Sequence, residues 1–301
     1  VNSIKRAIKK EKPDLIIFID APALNLRLIP YVKKLKIKSV YLFPPQVWAW
    51  GRKRLSLLKL VNKLIVAFPF EEKFYKENGL KAEFLGHPLI DMIKVNPEYV
   101  SAFREKFDEN TRFVGVFPGS RISEINNHMP ILRETLEEVS AKFKDIIYLI
   151  SVPTSEIKFF IEKHLTNFTF PFEIIISHPY EVMDLSEFII TSSGTATLEA
   201  TILEVPEIIF YRLSVLNWLM AKVMVKVKYI GLPNLIHGKL VVPELVQWRF
   251  NPSNLEYLMI KFLIDPKVLD KISNNLRSIK GILGENGVLD KIGESLTPFI
   301  T

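Results

Sequence analysis

The chain has 301 residues, 48% hydrophobic, enough to bury a sizeable core and more than a single core usually holds, so two domains are expected. No run of about 18 residues is apolar and free of charge, which argues against a membrane-spanning helix; no signal-peptide pattern opens the sequence, and a cytoplasmic location is expected. The absence of cysteine excludes disulfides, thiolate metal ligands and a thiol nucleophile, and the net charge of +7 is unevenly placed, with 15 Lys and Arg against 3 Asp and Glu in residues 1–63. A basic half attracts polyanions, whether nucleic acid or anionic lipid headgroups, although a solvated lysine-rich surface reads the same way.

A basic amphipathic helix is predicted over residues 1–10, followed by a strand, Leu15-Ile-Ile-Phe-Ile19. Asp20 closes that strand and Ala21-Pro22 follows. A carboxylate at the carboxyl edge of a parallel strand suits a general base; the same residue type suits the N-cap of a helix from Leu24, and both roles stand open. The second strand, residues 40–43, runs into Pro44-Pro-Gln-Val-Trp-Ala-Trp50 and the cations Arg52, Lys53 and Arg54. Aromatic rings beside positive charge suit a nucleic-acid groove, a membrane surface or a sugar site. A third strand is expected at 64–68, and a short one at Phe84 leads to Gly86-His-Pro88, which places His87 near the same edge.

A hinge is expected at Lys94-Val-Asn-Pro-Glu98, dividing the chain into residues 1–94 and 95–285, with a C-terminal helix at 286–301 that has the option of packing back on the first domain. Beyond the hinge, apolar runs at 113–117, 146–150, 173–176, 188–190 and 207–210 alternate with helical stretches, the rhythm of a parallel sheet covered on both faces. The first of these strands enters Phe117-Pro-Gly-Ser-Arg-Ile-Ser-Glu124. Gly119 permits close backbone approach, Ser120 offers a hydroxyl, and Arg121 stands at a helix start that favours anions; an ordinary turn with a capping serine is the plainer account. The strand at 188–190 enters Thr191-Ser-Ser-Gly-Thr-Ala-Thr-Leu-Glu199, in which Ser193, Gly194 and Thr195 open a second helix and Glu199 is placed to accept from ribose hydroxyls or to be a surface glutamate. Residues 213–229 form a basic amphipathic segment and Leu232-Pro-Asn-Leu235 follows; from about Pro252 only helices are expected. The five histidines lack metal-site spacing and there is no GxSxG elbow, so a metal hydrolase and an α/β-hydrolase are disfavoured.

The set Ile19-Asp-Ala-Pro22, Pro45-Gln-Val-Trp-Ala-Trp50, Phe68-Pro-Phe-Glu71, Gly86-His-Pro88, Phe117-Pro-Gly-Ser-Arg121, Ser193-Gly-Thr-Ala-Thr-Leu-Glu199 and Leu232-Pro-Asn-Leu235, in this order, resembles the lipid-A-disaccharide synthase family. The resemblance implies a GT-B fold, two doubly wound Rossmann-like α/β domains with a helical C-terminus. It also implies a metal-independent inverting transfer from UDP-2,3-diacylglucosamine to 2,3-diacylglucosamine 1-phosphate (lipid X), with no cofactor. Asp20 matches the family's base. Gly119, Ser120, Arg121 and Glu124 match its donor diphosphate motif, Ser193, Gly194, Thr195 and Glu199 its nucleotide side, and Asn234 a position tied to activity. Trp48, Trp50, Arg52, Lys53, Arg54 and His87 would serve the acceptor and an anionic inner-membrane surface, with a homodimer as an option and no nucleic acid. The family's opening strand and its Gly-Glu-x-Ser-Gly-Asp loop have no counterpart here, so an incomplete first domain, and an inactive chain in isolation, are expected. The alternatives are another GT-B UDP-sugar enzyme, an N-acetylglucosaminyltransferase or a UDP-sugar 2-epimerase, and a non-catalytic nucleic-acid-binding module.

Overall fold

Alternate residues of the apolar runs face different cores, which is why the runs show no polar side. Val114 and Val116 of β5 (Arg112–Phe117) join a cluster with Phe188 and Ile190 of β8 (Phe188–Ser192), whereas Phe113 and Phe117 join a second cluster with Ile189. Such a sheet is buried on both faces, and each fully buried side chain contributes about 1.5–3 kcal/mol. The computed structural model describes residues 1–49, 51–214, 218 and 227–300. Over these residues the chain separates into two units, 1–92 with 281–300, and 93–280.

The first unit contains α1 (Asn2–Glu11), β1 (Leu15–Ile19), α2 (Pro22–Lys34), β2 (Lys38–Leu42), α3 (Leu55–Leu58), β3 (Lys63–Ile65), α4 (Pro69–Glu77), β4 (Ala82–Glu83), α5 (Leu89–Met92) and, from the far end of the chain, α14 (Val288–Leu296). Its four strands are parallel and ordered β1-β2-β3-β4. Phe18, Tyr41 and Leu64 face a core shared with Leu26 and Ile29 of α2 and Tyr75 of α4. On the opposite face Val40, Leu42 and Ile65 pack against Val288 and Ile292 of α14. The Asp91 carboxylate fixes α14 by accepting from the backbone N–H of Gly287 and Leu289, both at 2.8 Å. β1 differs from the continuous burial that its sequence predicts. It lies at the sheet edge, and Ile17 and Ile19 are 40% and 58% exposed.

The second unit contains α6 (Pro97–Arg104), β5, α7 (Ile122–Lys142), β6 (Ile146–Val152), α8 (Ser155–His164), β7 (Phe172–Ile176), α9 (Pro179–Leu185), β8, α10 (Thr195–Leu203), β9 (Glu207–Tyr211), α11 (Leu232–His237), β10 (Glu244–Val246), α12 (Pro252–Ile264) and most of α13 (Pro266–Leu283). The six parallel strands are ordered β10-β9-β8-β5-β6-β7. From β5 the chain winds outward through β6 and β7, then returns to β8 on the other side of β5. The order therefore reverses between β5 and β8, and the loops that leave these two strands diverge to opposite faces, opening a crevice at their carboxyl ends. β10 is an addition to the sequence expectation, a three-residue strand too short to read as an apolar run. The segment 213–229 lies largely outside the described residues, as does Trp50.

Candidate functional site

The crevice between the ends of β5 and β8 holds a pocket of about 490 Å³. Gly119, Ser120, Arg121 and Glu124 form one wall, at the β5–α7 turn. Ser193, Gly194, Thr195 and Glu199 form the other, at the start of α10. Eight of the residues singled out from sequence thus line one cavity.

The two walls differ chemically. At the β5–α7 turn, the Glu124 carboxylate accepts from the backbone N–H of Ser120 (3.0 Å) and Arg121 (3.3 Å) and from Arg121 Nη1 (2.7 Å). This glutamate, in the third position of α7, occupies the donors that a bound anion would take. These bonds shape the turn, and the carboxylate itself would repel a diphosphate. Gly119 has φ +123°, and a Cβ there would stand 2.7 Å from the Glu124 carboxylate, so both conformation and space call for glycine. The Arg121 side chain is 73% exposed while paired with Glu124, so a ligand anion would compete with that carboxylate for the guanidinium.

The start of α10 is open. No side chain caps its first turn, so its leading N–H groups and the positive end of its dipole are available to an anion. Ser193 is held by two bonds, its N–H donating to Phe210 O (2.9 Å) and its hydroxyl to Ile230 O (2.8 Å). Glu199 accepts from the Tyr180 hydroxyl at 3.3 Å; burial raises the pKa of Glu199, and burial with the neighbouring carboxylate pushes Tyr180 up to about 12.

Asn234 does not line this pocket. It is fully buried on α11, where its Oδ1 accepts from Val241 N–H (2.6 Å) and Val242 N–H (3.0 Å), and its Nδ2 donates to Val242 O (2.9 Å) and Glu244 Oε1 (2.7 Å). Glu244 in turn accepts from the N–H of Ile230 and Gly231. Every polar atom of the Asn234 amide is engaged in folding the 230–244 loop, whose Ile230 carbonyl receives Ser193. Asn234, expected to be tied to activity, thus stands one layer removed from the pocket, holding the loop that holds Ser193.

In the first unit, Asp20 is exposed at the end of β1. Asp20 and Ala21 both have φ 40°, two consecutive non-glycine residues in the left-handed region, each costing about 1–3 kcal/mol. The turn is held by the Asp20 carbonyl, which accepts from Asn25 Nδ2 and the Tyr41 hydroxyl, both at 2.7 Å. The N-cap position of α2 belongs to Ala21, with no side-chain bond, so Asp20 is not the cap.

A chain of rings occupies the same edge of this sheet. His87 stacks on Phe43 and Phe68 (centroids 6.0 and 5.8 Å), Phe68 on Phe70 (5.7 Å), and Trp48 meets Phe70 edge-on (5.0 Å). Burial lowers the His87 pKa to about 4, and its Nδ1 accepts from Leu89 N–H, so His87 is a neutral ring here, not a cation for a phosphate. The Trp48 indole donates to Glu71 Oε1 (2.7 Å), and Glu71 Oε2 accepts from Ala67 N–H and Phe68 N–H, both at 2.9 Å. Arg52 and Lys53 are exposed and Arg54 is half-buried; the Arg52 guanidinium lies 5.8 Å over the Phe74 ring. Glu71, Glu244 and Tyr180 were not singled out as site residues from sequence; Glu71 has the local spacing of a capping box, but its bond to Trp48 and the partners of Glu244 and Tyr180 lie 10 or more residues away. Among the described residues no group of three or more His, Asp or Glu is arranged to hold a metal ion, and no helix is long and apolar enough to cross a membrane.

The family model for lipid-A-disaccharide synthetase matches residues 1–279. The chain belongs to this family. A lipid-A-disaccharide synthase of Sulfurihydrogenibium sp. is 37% identical over 300 residues, covering 94% of this chain and 76% of that protein. One from Persephonella marina is 35% identical over 290 residues, covering 92% and 76%. The lipid-A-disaccharide synthases are hexosyltransferases of lipid A biosynthesis, and membership makes this chain one of them. Among solved structures, the S. aureus MnaA–UDP complex superposes with TM-score 0.69 at 14% identity, covering 99% of this chain and 78% of that one. The UDP-GlcNAc 2-epimerase of Neisseria meningitidis bound to UDP-GlcNAc gives 0.66 at 13%, covering 99% and 79%. At such identities the likeness concerns the fold alone, the GT-B-like α/β architecture of a lipid-A-disaccharide synthase.

Proposed function

We propose that this family member transfers a 2,3-diacylglucosaminyl group from UDP to the 6-hydroxyl of lipid X, with inversion, and releases UDP. The observation that carries the reading is the pocket at the strand-order reversal, which the exposed, Glu124-paired Arg121 and an uncapped helix start both line. These groups suit a diphosphate that gains charge as its bond to the sugar breaks. Glu199, backed by Tyr180, is placed to accept from ribose hydroxyls. Asp20 is the proposed base: it takes the acceptor hydroxyl proton as that oxygen bonds to the donor anomeric carbon, and the electron pair of the old C–O bond leaves with UDP. The half-buried rings of Trp48, Phe70 and His87, backed by the buried Phe68, offer apolar faces to sugar or acyl chain, and the basic surface of residues 1–63 suits an anionic membrane face, where we place the protein as a peripheral enzyme.

The test supplies acylated UDP-glucosamine and lipid X and follows disaccharide and UDP. Asp20→Asn is expected to lower kcat by about 100- to 10,000-fold with donor KM little changed, and Arg121→Ala to raise donor KM. An Asp20→Asn variant with undiminished kcat, or turnover of unacylated UDP-GlcNAc in place of the acylated donor, overturns the reading.

A further inference from the structure

We propose that His128 is a positioning residue for the donor pocket, a neutral imidazole that ties the 117–121 turn to the end of β9 and so sets where the turn's backbone and Arg121 stand. The inference rests on reading this pocket as the diphosphate site.

The His128 side chain is completely buried on α7. Its Nδ1 lies 2.7 Å from the Pro118 carbonyl oxygen and its Nε2 lies 3.2 Å from the backbone nitrogen of Arg212. A carbonyl only accepts and an amide N–H only donates, so the proton sits on Nδ1 and the lone pair on Nε2. Neither the other tautomer nor the imidazolium satisfies both partners. Burial lowers the pKa, and of the charged groups that face the ring, Glu124 one turn earlier on α7 acts against that fall while the Arg212 side chain adds to it. Phe210, Tyr211 and Phe250 surround the ring at 5.0, 5.8 and 5.8 Å.

Both partners matter to the pocket. Pro118 stands between Phe117, the last residue of β5, and Gly119, where the chain turns into the cradle; its carbonyl points inward, and the imidazole is its donor. Arg212 directly follows β9, and Tyr211 before it feels the charges of Glu124 and Arg121. The imidazole thus joins the turn at Pro118, 10 residues before it, to Arg212, 84 residues after it, just behind the pocket lining. Without it the Pro118 carbonyl and the Arg212 N–H both lose a buried partner, and the turn has no fixed height above the sheet.

Leucine at 128 keeps the volume and loses both bonds. Asparagine places its amide nitrogen near the Nδ1 position and keeps the bond to Pro118; glutamine reaches the Nε2 position and keeps the bond to Arg212. UDP affinity by calorimetry, both KM values and kcat would be measured for the wild type, His128→Leu, His128→Asn and Arg121→Ala. His128→Leu is expected to raise the UDP Kd and donor KM by about tenfold, leaving kcat at saturation and acceptor KM within about twofold, with His128→Asn recovering most of the loss. A histidine that only fills space would lower Tm without moving the UDP Kd below the melting range, and that result overturns the proposal. If His128→Leu fails to fold, His128→Asn is compared with His128→Gln: tighter UDP binding by the asparagine variant supports the proposal and equal binding refutes it. Arg121→Ala separates the two readings. Unchanged UDP affinity in that variant removes the diphosphate reading and this inference with it, whereas weaker binding there with none in His128→Leu removes only the inference.

Discussion

Glu71 is 1% exposed and meets three donors, the indole of Trp48 and two backbone N–H groups, all of which favour the ionised form. Burial outweighs them and pushes its pKa up to about 6 from an ordinary 4.5. A carboxyl whose pKa is higher folded than unfolded contributes its stability below about pH 4.5 and loses it as pH rises through about 6, by about 2 kcal/mol over that window. Glu71→Gln removes the titration. Thermal melts of wild type and variant between pH 4.5 and 6.5 are expected to show the wild type falling relative to Glu71→Gln as pH rises; parallel curves would refute it. Asn234 allows a second test at this scale. Asn234→Ala strands the Val241 and Val242 N–H groups and one partner of Glu244, so a loss of about 2–4 kcal/mol is expected in denaturant unfolding. Lost turnover with stability intact would instead place Asn234 at the reacting atoms. Neither pairing is legible in the sequence, because Trp48 and Glu71 lie 23 residues apart and Asn234 and Glu244 lie 10 apart, joined only by folding.

At the scale of elements, two helix starts that look alike in sequence behave differently. Both follow a strand, carry glycine and a hydroxyl residue, and read as anion sites. A glutamate three residues into α7 covers the Ser120 and Arg121 N–H groups just ahead of that helix, while in α10 the Thr197 hydroxyl reaches back only to the Gly194 carbonyl and no side chain covers the leading N–H groups. The Glu124 spacing was visible in the sequence; which wall stays open depended on where that carboxylate points. The packing of α14 on the first sheet is a sharper case. Gly86 has φ +108°, and a Cβ there would stand 2.6 Å from Val288 Cγ2. Gly86→Ala is expected to destabilise by about 1–3 kcal/mol. Adding Val288→Ala is expected to recover part of that loss, and strict additivity in the double-mutant cycle would show that the two residues do not clash.

Across the whole molecule, positive charge concentrates in residues 1–63, and Arg52 and Lys53 stand exposed beside the ring cluster. Each exposed cation near an anionic bilayer contributes about 1 kcal/mol, less for the half-buried Arg54. Replacing Arg52, Lys53 and Arg54 with glutamine is therefore expected to weaken binding to phosphatidylglycerol vesicles by about tenfold or more at low salt, with the difference shrinking as salt rises. Equal vesicle binding by the two proteins would remove these cations from the membrane face.

By itself the sequence determined the strands apart from the short β10, the loops that leave them and the family. Runs of apolar residues and the glycine, serine and arginine that follow them are local signals, written in consecutive residues whose period and chemistry need no partner. Only tertiary structure decided the reversal between β5 and β8 that makes one pocket of two loops, the burial of Asn234 away from it, the neutral state of His87, and the return of α14 to a sheet begun more than 240 residues earlier. Each of these depends on which distant groups share a desolvated contact, and the energy of such contacts has no imprint in neighbouring residues.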